Sequence, residues 1–81
     1  MNDNFPGMSV RYMEGPRRMD VFAEQMANLK DLDLYLRTIG NWRPPYDSEP
    51  VDLVQRGLIL QRITTALKYL GYNVTTVGRL D

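Results

Sequence analysis

Apolar residues recur along the first half of the chain at the spacing of an amphipathic helix. They are Phe22, Met26, Leu29, Leu32, Leu36 and Ile39. Intervals of three or four residues place such side chains on one face of a helix. Gly15 and Pro16 before this segment, and Gly40 after it, are typical of helix ends. The pattern therefore predicts a helix from about residue 17 to residue 39.

A second helix is predicted from about residue 49 to residue 70. Ser48 is a suitable N-cap, Pro50 fits the first turn, and Gly71 is a natural C-cap. One face of this helix is apolar through Ile59, Ile63, Ala66, Leu67 and Leu70. A second apolar stripe is formed by Val51, Val54, Leu58 and Tyr69. Because a helix that packs on one side needs only one stripe, the second stripe should meet another subunit, a binding partner or the chain's terminal arms. Of these we predict another subunit, in a homodimer.

The two terminal segments have strand patterns. Residues 8–13 alternate apolar and polar side chains, and residues 72–78 are rich in β-branched residues. A short strand is marginal alone, and we therefore expect these two segments to pair. The predicted fold is mainly α: a two-helix antiparallel hairpin with a small two-stranded β element formed by the N- and C-terminal segments. It comprises one domain over 1–81, with an N-terminal arm over 1–16 and a loop over 40–48.

Composition argues against a catalytic function. The 81-residue chain contains neither cysteine nor histidine, so it lacks thiolate ligands and the usual acid–base group near neutral pH. Asp31 and Asp33 are close in sequence, but on a helix the side chains of residues i and i+2 diverge. We therefore expect no enzyme activity, no catalytic residue, no cofactor and no metal site.

Trp42, Arg43 and Tyr46 stand out because they lie in a loop between the two predicted helices. Tryptophan is usually buried, so the aromatic residues could fold back and cap the small core. Alternatively, these three residue types dominate the hot spots of protein interfaces. They are our candidate partner-binding residues, and they favour a small protein-binding factor such as a regulator, inhibitor or assembly adaptor.

The alternative function is that of a small dimeric nucleic-acid-binding protein. Ten basic and ten acidic residues cancel, which is unlike a generally basic nucleic-acid binder. However, a modest basic patch would form if folding brought together Arg11, Arg17, Arg18 and Arg79.

No apolar run is long enough for a membrane span, and the first residues lack a signal-peptide pattern. The expected location is therefore cytoplasmic, without a membrane partner.

Overall fold

The computed structural model describes residues 7–81, which form a four-stranded sheet with one α-helix packed on one face. The elements are β1 (Gly7–Glu14), β2 (Arg17–Gln25), β3 (Asp31–Tyr35), a 3₁₀ turn (Leu36–Thr38), α1 (Leu53–Tyr69) and β4 (Asn73–Val77). The strand order is β1-β2-β3-β4. β2 is antiparallel to both β1 and β3, whereas β4 is parallel to β3. The first six residues of the predicted N-terminal arm lie outside the described residues.

The predicted helical hairpin is wrong, because the segment assigned to the first helix forms β2, β3 and the 3₁₀ turn. Met19, Val21 and Ala23 are fully buried, while the residues between them point to the other side of the sheet. Asp31–Tyr35 alternates in the same way. This two-residue period is that of a strand. The six apolar residues that matched a helical spacing come instead from both faces of the sheet, from the loop after β2, and from the 3₁₀ turn and its end.

The predicted pairing of the terminal segments is also wrong. β1 and β4 lie at opposite edges of the sheet, with β2 and β3 between them. Gly15 has a φ of 61°, and this left-handed conformation allows the tight turn that pairs Glu14 with Arg17. β1 therefore pairs with the segment that follows it directly. The parallel pairing of β3 and β4 requires a long crossover connection, which α1 supplies.

The helix α1 begins later than predicted and ends with a Schellman motif. Its N-cap is Asp52, whose carboxylate accepts a 2.8 Å hydrogen bond from the Gln55 N–H. At the other end, the Tyr72 N–H donates to the Leu67 carbonyl and the Gly71 N–H to the Lys68 carbonyl. Gly71 has a φ of 96°, as this helix ending requires. The final strand consequently starts at a fixed point.

The hydrophobic core lies between α1 and one face of the sheet. Its buried members are Met19, Val21, Ala23, Leu32, Leu34, Leu36, Ile39, Trp42, Val51, Ile59, Ile63 and Leu67. The segment between the 3₁₀ turn and α1 closes one end of the core, where the Arg43 N–H donates a 2.7 Å hydrogen bond to the Arg18 carbonyl. Arg17 also holds this segment through two hydrogen bonds to Glu49, at 2.7 and 3.1 Å.

Candidate protein-binding surfaces

The face of the sheet opposite α1 is not covered by any other element of residues 7–81, and we call it the uncovered face. It carries the side chains that alternate with the core residues on β1, β2 and β3. These are Ser9, Arg11, Met13, Arg18, Asp20, Phe22, Glu24, Asp31, Asp33 and Tyr35. Side chains on such a face are available to a partner.

Two aromatic side chains meet on the uncovered face. The rings of Phe22 and Tyr35 lie 5.2 Å apart at 44°, and Phe22 remains 40% exposed. The Thr38 hydroxyl fixes the local backbone, because it accepts a 2.9 Å hydrogen bond from the Phe22 N–H and donates to the Tyr35 carbonyl. The pair is therefore a partly apolar platform, on a backbone that these hydrogen bonds hold in place.

Three carboxylates that lack a cationic partner among residues 7–81 extend from one side of this platform. Glu24 and Asp33 lie directly opposite each other on β2 and β3, and the Tyr35 hydroxyl donates a 2.8 Å hydrogen bond to Glu24. This bond is the main reason why the pKa of Tyr35 is raised above its ordinary value. The Asp31 carboxylate accepts a 2.9 Å hydrogen bond from the Asn73 side-chain amide. Within residues 7–81, none of these three carboxylates lies within 4.0 Å of a basic group. We call Phe22, Glu24, Asp31, Asp33 and Tyr35 the carboxylate end.

At the opposite end of the uncovered face, by contrast, the carboxylate is paired with arginines of the same chain. Asp20 lies between two arginines, with Arg43 at 3.1 Å and Arg11 at 3.8 Å. Both arginine side chains are more than half exposed, so solvent screens these ion pairs. The uncovered face therefore has one end where arginines outnumber carboxylates and one negatively charged end.

The three predicted partner-binding residues have different environments. Trp42 is only 3% exposed and stacks on Tyr12, with ring centroids 6.2 Å apart, as the core-capping alternative anticipated. Tyr46 is partly buried beneath the Arg17 guanidinium, which lies 4.8 Å from its ring centroid. Arg43 is exposed and contacts Asp20. A buried Trp42 offers no contact area to a partner, while a binding role for Arg43 and Tyr46 stays a prediction.

The four residues predicted for self-association also differ in burial. Val51 is buried in the core, before α1 begins. Val54, Leu58 and Tyr69 are exposed on the outer side of α1, at 75%, 45% and 89%. Three of the four residues therefore lie together on the outer side of α1, and Val51 does not. Their role in self-association stays a prediction.

The four arginines of the nucleic-acid alternative are dispersed. Arg11 and Arg17 pair with Asp20 and Glu49, and Arg79 pairs with Asp81. Arg79 follows β4, at the opposite edge of the sheet from β1. The Arg18 Nε atom is buried and has no hydrogen-bond partner in the described part of the chain. The expected basic patch is therefore split, and most of its charge is neutralised within the chain.

The residues of the carboxylate end were not singled out as a site from the sequence. The signal that could have found them is the alternation Asp31-Leu32-Asp33-Leu34-Tyr35, which places Asp31 and Asp33 on one face of a strand.

Across residues 7–81, no group of three or more acidic side chains has a geometry suited to a metal ion. No helix in the same range has the length and apolar character needed to cross a membrane.

Comparison with known proteins finds a family for this chain. No curated protein and no solved structure matches it. The sequence pattern of a family described as immunity protein 74 does match, over residues 8–77. This range runs from β1 through the last residue of β4 and includes both the carboxylate end and α1. The chain belongs to the immunity protein 74 family.

Proposed function

We propose that this protein neutralises a toxin by binding to it through the carboxylate end, without catalysing a reaction. Membership of an immunity-protein family supports an inhibitor that acts by protein–protein contact. The observation that carries the choice of surface is the opposition of Glu24 and Asp33 beside the aromatic pair. Like charges directly across a strand pair are unfavourable. A cationic partner would relieve this repulsion.

The chemistry of the carboxylate end defines the toxin surface that it fits. Arginine or lysine side chains of the toxin would pair with Glu24, Asp31 and Asp33, and an apolar contact would cover the Phe22 ring. Aromatic residues at the centre of an interface commonly contribute most of its binding energy. Charged groups around them increase the association rate and determine the orientation of the partner. The proposal includes a cytoplasmic location, where the chain would meet a toxin acting inside the cell.

A growth-rescue assay tests this function. Toxin domains encoded in the source genome would be expressed one at a time in a sensitive host, with and without this chain. We expect the wild-type chain to restore growth against at least one toxin, and the purified pair to form a complex. If no toxin is neutralised, the proposed function is wrong.

Substitution at Phe22 tests the surface. Phe22→Ala should weaken binding to the rescued toxin by about 30-fold, which corresponds to ~2 kcal/mol. Met13→Ala is the matched control, because Met13 is 58% exposed on the same face but lies opposite Arg18, away from the carboxylate end. Thermal unfolding of both variants separates loss of binding from loss of fold. Undiminished binding by a folded Phe22→Ala protein would exclude the carboxylate end as the main contact.

A further inference from the structure

The outer side of α1 carries apolar side chains that the carboxylate end does not involve. Val54, Leu58, Thr65 and Tyr69 follow one another along the helix at intervals of four, seven and four residues, and we call them the outer stripe. Three of them are large and exposed, and a shallow depression of about 720 Å³ lies along Leu58, Thr65 and Tyr69. Contiguous exposed apolar surface of this kind commonly marks an interaction site.

No segment of residues 7–81 covers the outer stripe. The opposite side of α1 packs on the sheet through Ile59, Ile63 and Leu67. The C-terminal tail is held elsewhere, because the Arg56 guanidinium donates hydrogen bonds to the Val51 and Leu80 carbonyls on the inner side of the helix. The C-terminal tail and the rest of residues 7–81 therefore leave the stripe free for a partner.

We propose that the outer stripe binds the same stripe of a second copy, with the two α1 helices antiparallel about a two-fold axis. Val54 and Tyr69 are equally distant in sequence from the midpoint between Gln61 and Arg62, and so are Leu58 and Thr65. In an antiparallel helix pair, residues equidistant from the axis face one another. Val54 therefore packs on the partner's Tyr69, and Leu58 on the partner's Thr65. The stripe is self-complementary along its length.

The polar residues beside the axis also suit a second copy. Gln61 and Arg62 flank the stripe on opposite sides, so each lies close to its own counterpart across the axis. A glutamine amide both donates and accepts hydrogen bonds, which allows two copies to pair. Arg62 donates to Tyr12 and Glu14 of its own chain, at 2.9 and 3.0 Å, so its charge is already balanced. The carboxylate end, by contrast, would meet its own copy with repulsion.

The length of α1 limits the strength of this dimer. Seventeen residues extend over about 25 Å, and one helix face is roughly 10 Å wide. This contact is smaller than the approximately 800 Å² per partner that stable complexes bury. We therefore expect a reversible dimer whose population rises with protein concentration. This inference is independent of the proposed function, because it concerns the chain without a toxin.

Sedimentation of the purified full chain provides the first test. The average mass should rise from monomer towards dimer between about 10 μM and about 1 mM. Leu58→Glu should remain monomeric throughout, because it buries a carboxylate in each half of the contact. A wild-type chain that stays monomeric over this range overturns the proposal. The outer stripe would then be left for another partner, such as a toxin or a lipid surface.

Cross-linking tests the antiparallel geometry, since the chain contains no cysteine. In a Gln61→Cys variant the two introduced thiols lie beside the axis and should form an intermolecular disulfide. Gln55→Cys is the matched control, because it is exposed on the same helix but would lie about 20 Å from its counterpart. Fast cross-linking of Gln61→Cys alone supports the proposed dimer. Equal rates at both positions would overturn it, since they indicate a parallel or non-specific contact.

Discussion

The two faces of the sheet differ in character although β2 supplies residues to both. On the covered face, Met19 and Val21 are fully buried against α1, and burial of such side chains favours folding by about 1.5–3 kcal/mol each. On the uncovered face, Glu24 opposes Asp33 and lacks a basic partner among residues 7–81. One face therefore stabilises the fold, while the other retains an unfavourable charge arrangement. Substitutions on the covered face should consequently lower stability, whereas substitutions at the carboxylate end should weaken binding without lowering stability.

Substitution of Trp42 should have the largest effect on stability. Trp42→Ala removes a buried ring from the covered side of the sheet and should lower the free energy of unfolding by about 3–5 kcal/mol. The neighbouring Arg43→Ala removes only an exposed ion pair with Asp20 and should cost less than about 1 kcal/mol. Urea unfolding of both variants measures the difference. Equal losses would mean that the burial of Trp42 contributes little to the fold.

The second half of the fold was more accessible to sequence reasoning than the first. Ile59, Ile63 and Leu67 recur at helical spacing in a segment that ends at a glycine, and the structure has a helix there. In the first half, Phe22 and Leu29 matched the same spacing, yet both are exposed in the structure. Periodicity alone cannot distinguish buried apolar residues from those on the opposite face or in a loop.

The candidate site was missed for the same reason. When residues 17–39 are placed on a helix, Asp31 and Asp33 diverge; when they form a strand, the two carboxylates share one face. The opposition of Glu24 and Asp33 depends further on the register of β2 against β3. That register is determined by tertiary packing of the buried positions, which local sequence does not specify.

Neutralising Asp33 should sharpen the contrast between the two faces. Asp33→Asn removes the repulsion with Glu24 while retaining the shape of the side chain, and it should increase the free energy of unfolding by about 0.2–1 kcal/mol at low salt. The same change should weaken binding of the toxin. Asp47→Asn is the control, because Asp47 is an exposed loop residue outside the sheet. Chemical unfolding measures the gain, and a destabilised Asp33→Asn protein would contradict a repulsive arrangement.

The smallest predicted effect concerns two tyrosines on opposite faces whose pKa values are raised for different reasons. Burial is the main cause at Tyr12, whereas the hydrogen bond to Glu24 is the main cause at Tyr35. Glu24→Gln should therefore move the pKa of Tyr35 back towards 10.0 and leave that of Tyr12 unchanged. Titration of the tyrosine ring carbons by NMR measures both values. Equal pKa shifts at the two tyrosines would contradict a local effect of the Glu24 hydrogen bond on Tyr35.

The same substitution should change how stability depends on pH. A raised pKa means that the folded chain holds a phenolic proton that the unfolded chain has lost, in the window between 10.0 and the raised value. The contribution of Tyr35 is therefore fully present below pH 10.0 and is lost as the pH rises through the raised pKa. In Glu24→Gln the pKa of Tyr35 lies closer to 10.0, so this pH range is narrower. The free energy of unfolding should therefore decrease less at alkaline pH than in the wild-type chain. The pKa of Tyr12 stays raised in this variant, so part of the loss of stability at alkaline pH should remain. Urea unfolding at several alkaline pH values would separate the contributions of the two tyrosines.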